Sequence, residues 1–168
     1  FPRERGRRRS CYSSNGISWV PNGESIFTTT GYAVVWSGSR WVALGQGKNT
    51  IAYSSDGINW TGAGTSIFTR AGRGVGWSGS RWVACGQGTN SLAYSDDGIT
   101  WTGVGTSIFS VYGLCAEWNG TRWVAGGRGT NTIAYSSDGI TWTGIGMSIF
   151  SVEVNTFAWS GTRWVAGG

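Results

Sequence analysis

Four copies of one short motif place an acidic or amide side chain beside a glycine. Residues 135–142 read YSSDGITW, and close copies begin at Tyr12, Tyr53 and Tyr94. A carboxylate in this place has three uses: general acid catalysis, cation binding, or acceptance of backbone N–H groups across a tight turn. The residue before the glycine is, in chain order, Asn15, Asp56, Asp97 and Asp138.

The first copy distinguishes between these roles. Asn15 keeps an oxygen acceptor and carries no charge. A turn tolerates that exchange, because only the acceptor is needed, whereas a catalytic acid or a cation site loses its function. One carboxylate per turn is also too few for calcium. The motif is therefore predicted to be a structural turn, neither catalytic nor metal-binding.

A second set of reactive side chains lies in a stretch whose sequence differs between the four repeats. After each "SIF" the next eight residues differ, over 28–35, 69–76, 110–117 and 151–158. One position is occupied in turn by Tyr, Arg, Leu and Asn, which no single packing environment would accept. Ligand binding is therefore predicted for the polar residues of these stretches, namely Tyr32, Arg70, Arg73, Tyr112, Glu117, Glu153 and Asn155. The alternative is that the four unlike side chains jointly fill a central channel.

Composition excludes several other chemistries. The chain has no histidine, so the usual proton shuttle and the commonest metal ligand are missing. Its net charge of +5 is concentrated in residues 1–9, which hold five arginines and one glutamate, so nucleic-acid binding by the rest of the chain is not expected. Glycine-rich stretches do not form a nucleotide-binding fingerprint. No membrane insertion and no cofactor are expected, and the three cysteines are predicted to be small buried thiols rather than a disulfide framework.

A repeat of 41 residues organises the chain. All 12 tryptophans fall into three positions of this repeat, four in each. Each repeat contains four short β-branched or aromatic segments separated by glycine turns, with no helical periodicity. A period near 40 with four strands is the size of a β-propeller blade. We expect an all-β fold: a basic segment, 1–9, and one propeller domain, 10–168, with repeats 10–50, 51–91, 92–132 and 133–168.

The repeated SSDGITW resembles the Asp-box of the BNR (sialidase-like) β-propeller repeat family, Ser-x-Asp-x-Gly-x-Thr-Trp, and is one residue shorter. The preceding WSGTRWVAGG resembles the first two strands of the same blades. The resemblance covers nearly the whole chain from residue 10. It implies that the box is a hairpin at the blade periphery without a catalytic role. The family spans sialidases, assembly factors, sorting receptors and lectin-like modules, so it leaves the function open.

The repeat phase also predicts how the chain ends meet. The chain starts with the two outer strands of a blade and ends with the two inner strands of another. Four blades are expected to close into a ring, with the N-terminal outer strands pairing with the C-terminal inner strands, which removes open sheet edges. The alternative is a homodimer that completes a larger ring, or a segment of a longer one.

The function predicted is non-enzymatic recognition of a glycan or protein ligand through the variable residues. A structural propeller segment of a longer viral or surface protein is the first alternative, and such a surface location is weakly favoured. A sialidase-like glycosidase is the second. The family resemblance implies for such an enzyme an arginine triad and a tyrosine nucleophile paired with a glutamate. The Phe-Arg-Ile-Pro motif of sialidases is missing, so enzymatic activity is not expected.

Overall fold

A computed structural model describes residues 10–22 and 26–168; the predicted basic segment 1–9 lies outside the described residues. The described chain is all-β and contains sixteen strands and no helix. The strands are β1 (Cys11–Tyr12), β2 (Val20–Pro21), β3 (Thr30–Trp36), β4 (Trp41–Gln46), β5 (Ile51–Ser54), β6 (Thr61–Gly62), β7 (Ala71–Trp77), β8 (Trp82–Gln87), β9 (Leu92–Ser95), β10 (Thr102–Gly105), β11 (Tyr112–Trp118), β12 (Trp123–Arg128), β13 (Ile133–Ser136), β14 (Thr143–Gly144), β15 (Thr156–Trp159) and β16 (Trp164–Gly167). The predicted all-β class and the four-stranded repeat are confirmed.

The strands form five antiparallel sheets in chain order. Three are four-stranded meanders, β3-β4-β5-β6, β7-β8-β9-β10 and β11-β12-β13-β14. The first and last sheets, β1-β2 and β15-β16, have two strands each. From β3 onward, consecutive sheets contact each other through their first two strands, as β7 contacts both β3 and β4. Each repeat therefore packs on its neighbours in the chain.

The second strand of each full sheet is largely buried, and in β8 the neighbouring sheets cover both faces. Val83, Ala84 and Cys85 of β8 are completely inaccessible, and such strands read as continuous apolar runs. Two core clusters span the sheet boundaries. One joins Val42 and Leu44 to residues of the second full sheet, and another extends from that sheet to the third.

A tryptophan pair closes the hairpin between the first two strands of every repeat. Trp77 lies opposite Trp82 in the β7–β8 register, with ring centroids 4.7 Å apart and planes at 41°. Such cross-strand aromatic pairs stabilise a sheet beyond the area they bury. The equivalent pairs lie at 5.0, 5.4 and 5.1 Å in the other three repeats.

The predicted ring closure is wrong for this structure. Among the described strands, β1 pairs only with β2 and β16 only with β15, and neither pair joins the other. Neighbouring sheets contact each other through their first strands and also near the outer turns. At the second place, Arg81 Nη1 donates a 2.7 Å hydrogen bond to the backbone carbonyl of Asp138 in the turn of the next repeat. The described sheets therefore form an open array in this structure.

Within residues 10–22 and 26–168, no helix could span a membrane.

Candidate functional site

A β-bulge in the first strand of each full sheet sets the direction of one variable side chain. The register of β3 with β4 shifts between Gly31 and Ala33, leaving Tyr32 as the extra residue. The same shift leaves Arg73 unpaired in β7. A bulge redirects the side chain it carries and interrupts the ladder there. Tyr32 and Arg73 thereby project from equivalent places on adjacent sheets.

The invariant segment before each bulged strand is anchored by hydrogen bonds. Asn90 donates through Nδ2 to the carbonyl of Ile67 at 2.8 Å, and its Oδ1 accepts the N–H of Gly105 at 2.8 Å. Phe68, the next residue after Ile67, is completely buried. The invariant segment "SIF" is thus fastened to the fourth strand. The variable strand begins from this rigid anchor.

The bulged Arg73 lies between two tyrosine rings. Its guanidinium carbon is 4.9 Å from the Tyr32 ring centroid and 5.8 Å from that of Tyr112. Cation–π attraction of this kind contributes about 0.5–1 kcal/mol per contact at a partly exposed site. Three residues from three different repeats are thereby brought into one row.

Two glutamines of the second strands support this row. Gln46 Oε1 accepts a hydrogen bond from the Tyr32 hydroxyl at 3.2 Å, and Gln87 Oε1 accepts one from Arg73 Nη2 at 3.5 Å. The Nε of Arg73 is buried and has no hydrogen-bond partner within the described protein atoms. A buried N–H without an acceptor costs free energy, and an acceptor supplied by a ligand would remove that cost.

A tyrosine–carboxylate pair ends the row. The Tyr112 hydroxyl donates to Glu153 Oε2 at 2.7 Å, and Arg128 Nη1 donates to the same hydroxyl at 3.5 Å. Arg128 also forms an isolated backbone bridge with Glu153. The hydrogen bond to Tyr112, together with the nearby carboxylate of Glu153, raises the pKa of the exposed Arg128 guanidinium.

We call this continuous set of side chains the inner polar row. Its members are Tyr32, Gln46, Arg73, Gln87, Tyr112, Arg128 and Glu153. It presents two phenol groups, two amides, two guanidinium groups and one carboxylate. The row offers hydrogen-bond donors and acceptors beside aromatic faces, the groups by which proteins recognise polyhydroxylated ligands.

The remaining predicted residues lie outside the hydrogen-bonded row. Arg70 and Asn155 are exposed, and their backbone N–H groups bond to the carbonyls of Gln87 and Gly167. Glu117 pairs with Val124 near the opposite end of β11. Desolvation raises the pKa of its carboxyl, although the residue still reaches solvent. The structure thus brings together Tyr32, Arg73, Tyr112 and Glu153, and not the other three.

Sequence reasoning missed the three row members at the ends of the second strands. Gln46, Gln87 and Arg128 occupy one repeat position, directly opposite the start of the variable strand. That position changes from glutamine to arginine in the third repeat, which also contains Tyr112. The change was visible in the sequence, but only the strand register shows that it faces the variable residues.

The acidic motif forms the same turn in all four repeats. Asp97 Oδ1 accepts the N–H groups of Ile99 and Thr100 at 2.7 Å each, while the Ser95 hydroxyl accepts that of Gly98 at 2.8 Å. Desolvation opposes ionisation of Asp97, but these hydrogen bonds outweigh it and lower its pKa to about 2. Gly98 has a φ of 72°, a conformation that glycine adopts without strain.

Asn15 makes the equivalent contacts without a charge. Its Oδ1 accepts the N–H groups of Ile17 and Ser18 at 2.9 Å each. The backbone groups satisfied are therefore the same as those satisfied by the three aspartates. No group of three or more potential metal ligands occurs within residues 10–22 and 26–168.

Among known proteins, the chain resembles solved structures and matches no family model or curated sequence. Among solved structures, a GH74 enzyme from Niastella koreensis superimposes with a TM-score of 0.53 and 22% sequence identity. The match covers 68% of this chain and 17% of that enzyme. This chain thus spans about a sixth of its structural neighbour's length, and the likeness concerns the repeated all-β fold alone.

Proposed function

We propose that the chain is a non-enzymatic recognition module of an Asp-box β-propeller and binds a glycan at its inner polar row. The observation that carries the proposal is the row itself, in which Arg73 is flanked by Tyr32 and Tyr112 and retains an unpartnered Nε. Sugar hydroxyls supply acceptors for guanidinium groups and donors for amide oxygens. Aromatic rings stack on the apolar faces of sugars.

The propeller assignment rests on three features. The repeats have the length and strand number of a blade, each sheet is a four-stranded meander, and consecutive sheets pack through their first two strands. The turns at Asn15, Asp56, Asp97 and Asp138 have the position in the sheet that the Asp-box resemblance implies. In a propeller the first strands line the central channel, so the inner polar row would face it.

Binding to an array of immobilised glycans, followed by calorimetry on the glycans retained, tests this function. The matched variants are Arg73→Met, which removes the central guanidinium, and Arg122→Met, which removes an exposed guanidinium that stacks on Tyr135 at the outer part of the sheet. We expect wild type and Arg122→Met to bind equally and Arg73→Met to bind at least ten-fold more weakly.

Two results would overturn the proposal. Retention of no glycan by the wild-type protein would leave a protein ligand or a purely structural propeller segment. Equal glycan affinity of Arg73→Met and wild type would move the binding site away from the row.

A glycosidase is the second candidate, favoured by the Tyr112–Glu153 hydrogen bond and its two neighbouring arginines. A tyrosine beside a glutamate is what the sialidase resemblance implies for such an enzyme, and this contact supports the second candidate. Release of fluorophore from aryl sialosides by the wild-type protein, with loss of that release in Tyr112→Phe, would establish it. Glu117, the other predicted acid of the inner strands, lies at the far end of β11 from this pair.

A further inference from the structure

The charged side chains of the full sheets lie at two opposite ends of the strands. One end, which we call the hairpin end, holds the turns between first and second strands and the acidic motif turns, such as 37–40 and 55–60. The other end, which we call the row end, holds the inner polar row and the loops that lead into the next first strand, such as 63–70.

The arginines of the hairpin end are balanced by carboxylates. Arg81 forms a 2.8 Å ion pair with Asp96 and donates to the backbone carbonyl of Asp138. Its guanidinium carbon also lies 5.4 Å from the Tyr94 ring centroid. Within the described residues, the charged side chains of this end are Arg40, Arg81, Arg122 and Arg163 with Asp56, Asp96, Asp97, Glu117 and Asp138. Four positive and five negative charges leave the hairpin end close to neutral.

The row end of the second and third full sheets is cationic. It carries Arg70, Arg73 and Arg128, while every carboxylate within residues 61–152 lies at the hairpin end. Arg70 and Arg128 are exposed, and Arg73 is half-buried between two tyrosine rings. Glu153, the carboxylate of the inner polar row, comes from the fourth repeat and already accepts a hydrogen bond from Tyr112. Three positive charges thus lie beside the aromatic and amide groups of the row.

These three arginines form a series across two sheets. Arg70 lies beside the end of β8, where its N–H donates to the Gln87 carbonyl, and Arg128 ends the equivalent strand β12 of the next sheet. Tyr112 connects Arg128 to Arg73. Its hydroxyl lies 3.5 Å from Arg128 Nη1, and its ring centroid lies 5.8 Å from the guanidinium carbon of Arg73. The positive charges are therefore spread along the row and do not converge on one point.

We propose that the inner polar row binds a linear polyanionic glycan, a chain whose sugars carry sulfate or carboxylate groups at regular intervals. The inference rests on the proposed function, because it specifies the ligand of the same site. Arg73 and its two tyrosine rings would contact one sugar of the chain. Arg70 and Arg128 would bind the acidic groups of the sugars on either side.

Guanidinium groups suit this ligand chemically. Each presents planar N–H donors that match two oxygens of an oxyanion, and each stays charged at physiological pH. A chain with several anions meets several arginines at once, whereas a glycan with one acidic sugar meets one. Gln46 and Gln87 add neutral donors and acceptors that suit sugar hydroxyls, so a glycan is favoured over a nucleic acid.

The other repeats show that the scaffold does not require these cations. Gln46 and Gln87 stand where the third repeat has Arg128, and Thr29 stands where the second repeat has Arg70. Both glutamines pair with the start of the first strand, as Arg128 does. The two arginines are thus additions to a fold that forms without them, and ligand binding accounts for them.

Calorimetric titration with two matched pairs of polysaccharides tests the inference. The pairs are dextran sulfate with dextran, and polygalacturonate with its neutral methyl ester. We expect at least one acidic chain to bind at least ten-fold more tightly than its neutral partner, and the pair that differs identifies sulfate or carboxylate. The affinity should fall as salt rises, because the arginines release counterions from the chain. A glycan with a single acidic sugar should bind at least ten-fold more weakly than the acidic chain.

Matched double variants locate the binding. Arg70→Thr/Arg128→Gln places at each site a residue that another repeat carries there, so the fold should be retained. Arg122→Gln/Arg163→Gln removes two exposed arginines of the hairpin end and changes the net charge equally. We expect the first double variant to bind the acidic chain at least ten-fold more weakly than wild type, and the second to bind it as wild type does. Urea unfolding of both checks that they are folded.

The contrary outcomes are distinct. Equal affinity for acidic and neutral chains, or for the acidic chain and the glycan with one acidic sugar, overturns the inference and leaves the glycan site in place. Binding of no glycan of any kind overturns the proposed function, and the inference with it. Equal losses in the two double variants would mean attraction to overall charge. Equally tight binding of single-stranded DNA would mean that the row selects polyanions without selecting sugars, which also contradicts the inference.

Discussion

The Tyr112 hydroxyl donates a 2.7 Å hydrogen bond to Glu153 Oε2 across 41 residues of chain. The two residues occupy the same position of consecutive repeats. Equivalent places on neighbouring sheets are therefore close enough for direct contact at this end of the strands. That proximity turns four divergent stretches of sequence into one continuous surface.

Tyr112→Phe should destabilise the fold modestly. It removes a hydrogen bond to a partly buried carboxylate, which contributes about 1–2 kcal/mol to the free energy of unfolding. Urea denaturation of Tyr112→Phe, Glu153→Gln and the double variant measures it. We expect the double variant to lose less than the sum of the singles, and strictly additive losses would mean that the contact does not contribute.

Replacement of Arg73 tests the cation between the two tyrosines. Arg73→Met keeps much of the stem and loses the charge, so we expect a loss of about 1 kcal/mol from two cation–π contacts. Thermal unfolding measures it. Arg70→Met, at a neighbouring exposed position, should stay within about 0.5 kcal/mol of wild type. Equal effects of the two variants would show that the aromatic contacts are not stabilising.

Substitution by alanine should destabilise the fold at Gly72 and have little effect at the equivalent Gly31. At Gly72 an added Cβ would strike the Thr50 carbonyl and approach Leu44 within 2.9 Å, whereas at Gly31 it would meet only the Phe27 ring at an ordinary contact distance of 3.6 Å. We expect Gly72→Ala to cost about 1–3 kcal/mol through overpacking. Gly31→Ala should be near neutral in urea unfolding. Similar losses at both positions would contradict the difference in packing between the two glycines.

Acid should weaken the turn at Asp97. Its pKa is about 2 in the fold and 3.8 in the unfolded reference. The stabilisation is therefore fully present above about pH 4 and is lost as pH falls towards 2. Melting temperatures of wild type and Asp97→Asn between pH 6 and pH 2.5 measure the difference.

The asparagine variant should keep the turn and lose part of the acid sensitivity, because Asn15 already accepts the same two N–H groups in the first repeat. The reverse exchange, Asn15→Asp, should add acid sensitivity at its own turn. Identical pH profiles for wild type and Asp97→Asn would show that ionisation of Asp97 does not stabilise the fold.

Sequence comparison between the repeats found four members of the inner polar row and missed three. Tyr32, Arg73, Tyr112 and Glu153 stood out because their positions vary while the surrounding scaffold does not. Gln46, Gln87 and Arg128 lie in the second strand, outside the stretch that varies most, and the change at this position gives no sign that it faces the variable residues. The hydrogen bonds of Gln46 and Gln87 to Tyr32 and Arg73 depend on which strand residues lie opposite each other across the bulge.

The all-β class, the 41-residue period and the turn at each acidic motif could be predicted from the amino-acid sequence alone. These are local properties: strand propensity, glycine conformation and hydrogen bonds between residues two or three apart. Which variable side chains touch, and whether the terminal sheets pair, are properties of the tertiary structure. The terminal sheets do not pair with each other among the described strands. Tyr112 and Glu153 come into contact across 41 residues of chain because neighbouring sheets pack side by side and the strand register places the two residues at the same end.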